Sequence, residues 1–145
     1  MAQAIFNSKT FTDDLGRVVQ ASRAGRAIRA CLLTTRDREN AIAMIRKTAA
    51  ACEASLYHFT VAGRQRYNFV EHRWEPVGGN QMDSPSLLRA AQELKGSGVV
   101  IFEDCVPFLQ DQRGDQRMRM TLAQMLSSET SREGLVLVFI EGPEA

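Results

Sequence analysis

Residues 97–109 read SGVVIFEDCVPFL. Val99 to Phe102 are four apolar residues in a row, and they run straight into Glu103 and Asp104. A short apolar run bounded by turn residues fits a strand buried on both faces, as in a parallel sheet covered by helices. A strand that drops acids at its tip is also how nucleotide hydrolases deliver metal-side carboxylates. The stretch therefore bears on two questions at once: whether the fold is α/β, and whether its strand ends do chemistry.

The flanking sequence repeats the same alternation. Residues 1–10 read as a loose N-terminal arm, and the rest, 11–145, as one domain. FTDDLGRVVQASRAG opens with Thr12 or Asp13 as a cap, sets Leu15, Val18, Val19 and Ser22 on one helical face, and stops at Gly25. AIRACLLTT (27–35) is a buried strand. RDRENAIAMIRKTAAACE (36–53) is a helix with Ile42, Ile45, Ala49 and Cys52 inward, and SLYHFTV (55–61) is the second strand. DSPSLLRAAQELKG (83–96) is a helix, capped by Ser84 with Pro85 at its first position and with Leu87, Leu88, Ala91 and Leu94 facing in. After the 98–103 strand, RGDQRMRMTLAQMLSSETS carries Met118, Leu122, Met125 and Leu126 on one helical face, and GLVLVFIEG (134–142) is the last strand. Strands alternating with helices of this length imply a mostly parallel sheet with right-handed crossovers in a three-layer α/β sandwich.

Composition excludes several classes. At 145 residues and 44% apolar the chain can build a real core, and a net charge of +1 gives no global field toward nucleic acid or membrane. Fifteen of the eighteen basic residues are Arg, which reads as compositional bias rather than as a phosphate signal. No apolar run is long enough to span a bilayer, and MAQAIFNSKTF lacks the pattern of a secretory signal. Cys31, Cys52 and Cys105 are widely spaced and read as buried free thiols, which suits the cytoplasm.

In a parallel α/β sheet the working edge lies beyond the carboxyl ends of the strands. Thr34 to Arg38, Ala62 to Arg66, Glu103 to Pro107 and Glu141 to Pro143 are therefore the positions to inspect. A phosphate-binding ATPase would place G-x-x-x-x-G-K-[ST] after the first core strand, so that backbone N–H groups cradle the phosphates. TTRDREN has no Gly and no Lys there; Arg36 or Arg38 could touch an anion but could not build the cradle. Glu103 and Asp104 then read as a remnant acidic pair, with Glu103 solvated and Asp104 capping the next turn, and Glu141 adds a third acid to the edge. His58 and His72 have no partner at metal-ligand spacing, so no metal, no cofactor and no catalytic residue is expected. Carboxylates beside Cys105 argue against a nucleophile.

The least ordinary segment is GRQRYNFVEHRWEPVGG (63–79), a hairpin or an irregular extended excursion. Arg64, Arg66, Tyr67, Arg73 and Trp74 interleave cations with aromatics there. Such a mix suits a protein-docking surface, where Trp, Tyr and Arg supply anchors, or single-stranded nucleic acid, where bases stack on rings. It equally suits a plain hairpin with its rings on the core and its arginines in water. Glu71 and Glu75 count against nucleic acid.

DLGRVVQASRAG, ACLLTTRDRENAIAMI without a phosphate loop, LYHFTVAGR, DSPSLLRAAQEL, GVVIFEDCVPFL and RMRMTLAQML leading to LVLVFIEGP together span residues 11–143. In that arrangement the chain resembles the degenerate RecA-like N-terminal domain of a bacterial, cyanobacterial and plastid family of AAA-type ATPases of poorly defined function. The resemblance implies a RecA-like topology without the phosphate loop, and a competent ATPase module following in the same protein. On that basis the chain is expected to be a fragment or a short relative, with a sheet edge left open where a further strand would follow. The expected function is non-catalytic: docking a protein partner or its own ATPase module, or regulating and assembling an ATPase, in which oligomers would arise. Two alternatives remain: an ATPase subunit contributing Arg113, Arg117 or Arg119 in trans as a finger, and a nucleic-acid module using the 64–74 excursion.

Overall fold

The computed structural model describes residues 2–4, 8–25, 27–60, 62–78, 84–94, 98–103, 116–127 and 134–142. The elements in chain order are β1 (Ala2–Ala4), α1 (Ser8–Gly25), β2 (Ile28–Thr34), α2 (Arg38–Ala51), β3 (Ser55–Thr60), β4 (Gly63–Asn68), β5 (Arg73–Pro76), α3 (Ser84–Gln92), β6 (Gly98–Glu103), α4 (Gln116–Ser127) and β7 (Leu135–Glu141). They form one α/β domain around a mixed sheet in the order β1-β2-β7-β6-β3-β4-β5. The neighbours from β1 to β3 pair in parallel. The hairpin β4–β5 adds two antiparallel pairs beyond β3.

The strand pleat divides the apolar residues between two cores. On one face Val99 and Ile101 of β6 and Val136, Val138 and Ile140 of β7 pack with Leu15 and Val19 of α1 and Ile45 and Ala49 of α2. On the other, Val100 and Phe102, with Leu135, Leu137 and Phe139, pack with Leu87, Leu88 and Ala91 of α3 and Leu122 and Met125 of α4. Helices on both faces are the reason β6 and β7 are apolar at nearly every position.

Several expected boundaries move. Residues 1–10 are not a loose arm throughout: Ala2–Ala4 pair with Cys31–Leu33, and α1 already begins at Ser8. Thr12 and Asp13 therefore lie inside α1 instead of capping it, and Phe11 joins the core. The same pairing places a short strand at the sheet end beside β2. β2 is not the fully buried strand expected: only Ile28 and Leu33 are buried, because it lies near the sheet's end with just the three-residue β1 beyond it. Cys31 and Cys52 are likewise half-buried free thiols, and burial pushes the Cys31 thiol pKa up. On α4, Leu126 is exposed and Thr121 takes the inward position.

One close approach ties α1 to β7. Gly134, with φ of +105°, lets the Ser22 backbone come so near that a Cβ there would fall 2.6 Å from it. The buried Ser22 hydroxyl accepts from the Leu135 N–H at 2.9 Å and donates to the carbonyl of Ala27. Among the described residues no helix is long and apolar enough to cross a membrane.

Candidate functional site

The carboxyl ends of the parallel strands meet where chain direction reverses. β2 leads into α2 on one face of the sheet, while β6 leads toward α4 on the other, with β7 between them. In open α/β sheets this is where ligands bind. Here the chain's own side chains occupy it.

The β2–α2 junction is short. Thr35 continues the sheet by donating to the Glu141 carbonyl at 3.0 Å. The Asp37 N–H donates to the Thr35 hydroxyl, and the Asp37 carboxylate accepts from the Asn40 N–H at 3.0 Å. Asp37 is thus the N-cap of α2. Its charge sits at the positive end of the helix, in the position an incoming phosphate would otherwise take.

Glu103 at the tip of β6 is not a solvated acid. Its side chain is 19% exposed and accepts from Arg38 Nη1 at 3.4 Å across β7, while His58 Nε2 of β3 lies 2.6 Å from its other oxygen. Pleat and register explain the convergence. Leu56, Val99 and Ile101 face the α1–α2 side, so His58 and Glu103, each two residues further along, face it too. Arg38, in the first turn of α2, hangs over the same side, and a Cβ on Gly142 would lie 3.2 Å from its guanidinium. The arrangement binds the start of α2 to the sheet and leaves Glu103 engaged by two partners. Among the described residues no group of three metal-ligating side chains exists. Asp104, Cys105 and Arg113 lie outside the described residues; Arg117 is exposed and Arg119 half-buried on α4.

The 63–79 excursion is a regular hairpin with its residue types sorted by face. Tyr67 pairs with Trp74 and both turn to the α1–α2 side. Tyr67 is buried at 7% exposure, so it is not the surface anchor expected of it. It meets Phe69 and Trp74 edge-on at 4.9 and 5.1 Å, and Arg46 of α2 lies 5.1 Å over its ring. Trp74 is half-buried and continues the row to His58, 5.7 Å away. Arg64, Arg66 and Arg73 take the opposite face. Arg64 lies over Phe59 and Arg66 over Tyr57, at 5.9 and 5.8 Å, and Arg73 pairs with Glu71 at 2.7 Å. The five expected binding residues therefore form no single surface: two belong to the core side and three to the outside. At the hairpin tip Asn68 accepts from the N–H groups of Val70 and Glu71, His72 adopts a left-handed φ of +56°, and Val70 stands 88% exposed.

Sequence reasoning missed His58, Asp37 and Arg38 as a set. The readable signal was positional: Arg38 and Glu103 both sit where parallel strands end, and His58 is an out-of-place polar residue two positions short of such an end. Comparison with known protein families, with curated proteins and with solved structures finds no match for this chain.

Proposed function

We propose that this is a non-catalytic α/β domain of RecA-like descent, cytoplasmic, that works by binding a protein partner or by regulating an AAA-type ATPase. The observation that carries the reading is the closed switch point. The Asp37 carboxylate caps α2 where a phosphate loop would hold an anion, and Arg38 and His58 engage the acid that would face a metal. An anionic phosphate there would have to displace an anionic cap. The strand order supports the RecA-like reading: β2, β7, β6 and β3 run in parallel, with β7, the last in sequence, between β2 and β6.

Docking falls to the parts of the hairpin that the core does not use: Arg66, Arg73 and the Val70 tip. Tyr67 is withdrawn from that surface, and Trp74 offers only its exposed part. Isothermal calorimetry of the chain with Mg·ATP tests the non-catalytic reading. A flat trace is expected, and micromolar binding would overturn it.

A further inference from the structure

β5 closes one end of the sheet and pairs only with β4 among the described residues. The Val77 N–H donates to the Arg64 carbonyl at 3.0 Å, so the backbone groups of Val77 point toward β4. Alternation along an antiparallel pair turns those of Glu75 and Arg73 to β4 as well, and those of Trp74 and Pro76 to the open edge. Pro76 has no N–H, which suits an outer position. Within β5, Trp74 alone therefore offers both a donor and an acceptor at that edge.

An edge of this kind pairs with another strand unless its side chains prevent it. Here the charges select a register. A two-fold axis through Trp74, perpendicular to the sheet, sets a second β5 antiparallel to the first. Trp74 then faces Trp74 of the second copy, and the N–H of each donates to the carbonyl of the other. The same register sets Arg73 opposite Glu75 of the second copy, and Glu75 opposite its Arg73, on one face. In one copy Arg73 uses Nη2 on Glu71, and Glu75 uses Oε1 on Asn68, which leaves Arg73 Nη1 and Glu75 Oε2 for the cross-copy pairs. The register also brings Val77 of one copy level with the hairpin tip of the other, where Val70 stands. Val70 and Val77 are two of the four large apolar residues exposed among the described ones.

We propose that this chain self-associates through its β5 edges, as a symmetric dimer whose two sheets become one across Trp74. Strands of four residues give a small contact, in the class of weak and transient interfaces. The dimer uses Arg73 and the Val70 tip, and does not rest on the closed switch point or on an ATPase partner.

Sedimentation velocity of the chain from micromolar to millimolar concentration tests it, with hydrogen exchange at the Trp74 amide followed by NMR over the same range. A rise toward twice the monomer mass is expected, with exchange at the Trp74 N–H slowing as the dimer fills. Arg73→Glu sets like charges opposite each other at both pairs, and so does Glu75→Arg; each alone should weaken self-association by roughly tenfold. Mixed in equal amounts, the two variants restore opposite charges at both pairs and should associate about as tightly as the unaltered chain. A chain that stays monomeric to millimolar concentration would overturn the proposal and leave the edge to an extended segment of another protein. A dimer without protection at Trp74, or a mixture no tighter than its components, would overturn it too. The Trp74 amide decides the matter even if a charge variant fails to fold.

Discussion

Two strand pairs in this sheet show opposite relations between residue type and role. In β6–β7 nearly every side chain is apolar, and the pleat sends alternate residues into two cores. Losing the distinction between the faces costs nothing there, because both faces want the same chemistry. In β4–β5 the two faces want different chemistry: rings on one side, arginines on the other. Read along the chain, that alternation imitates a mixed cation–aromatic binding surface. Read across the pleat, it is a strand with a covered side and an open side. An interleaved pattern in a strand therefore names a surface only after its residues are assigned to faces.

The comparison breaks most visibly at the center of the sheet. Phe102 and Phe139 stack at 5.2 Å and both are fully buried. Phe139→Ala should cost about 3–5 kcal/mol in a urea melt, as for other large core deletions. A loss under about 1 kcal/mol would mean that this pair is not core. Gly134→Ala comes next, because the substitution combines an unfavourable φ with a clash against the Ser22 backbone. Strain plus overpacking should cost about 2–4 kcal/mol. A stability within error of the unaltered chain would show that α1 does not sit that close to β7.

The hairpin is where the comparison sharpens. Trp74→Ala removes a half-buried ring that packs on Tyr67 and His58. It should cost about 2–3 kcal/mol, below the range for a fully buried ring. Arg73→Ala, on the open face in an exposed pair with Glu71, should stay within about 0.5 kcal/mol. Equal costs for the two variants would erase the distinction between the faces.

The central strands were legible because length, apolarity and flanking acids all agree over GVVIFE and LVLVFIE. The helices were legible at Leu15, Val19, Ile45, Leu87, Leu88 and Ala91, where the helical period is unbroken. The start of α1 was not: Thr12 and Asp13 look like caps, and nothing local says that Phe11 is needed in the core. β1 was illegible for a related reason, since Ala2–Ala4 has no pattern of its own and gains a partner only once β2 is in place. The site was half legible. The missing phosphate loop and the acid at the strand tip could be read directly. The partners of Glu103 could not, because His58 and Arg38 are 45 and 65 residues away and converge only through parallel register.

The account's central claim is that the switch point is held shut from within, by Arg38 and His58 on Glu103. A double-mutant cycle of Arg38→Met and Glu103→Gln, read by chemical denaturation, tests it most directly. The account expects each single change to destabilise, and the pair to be coupled by about 1 kcal/mol, since either change alone already breaks the contact. Strict additivity within about 0.3 kcal/mol would contradict it, because Arg38 would then contribute nothing to holding Glu103.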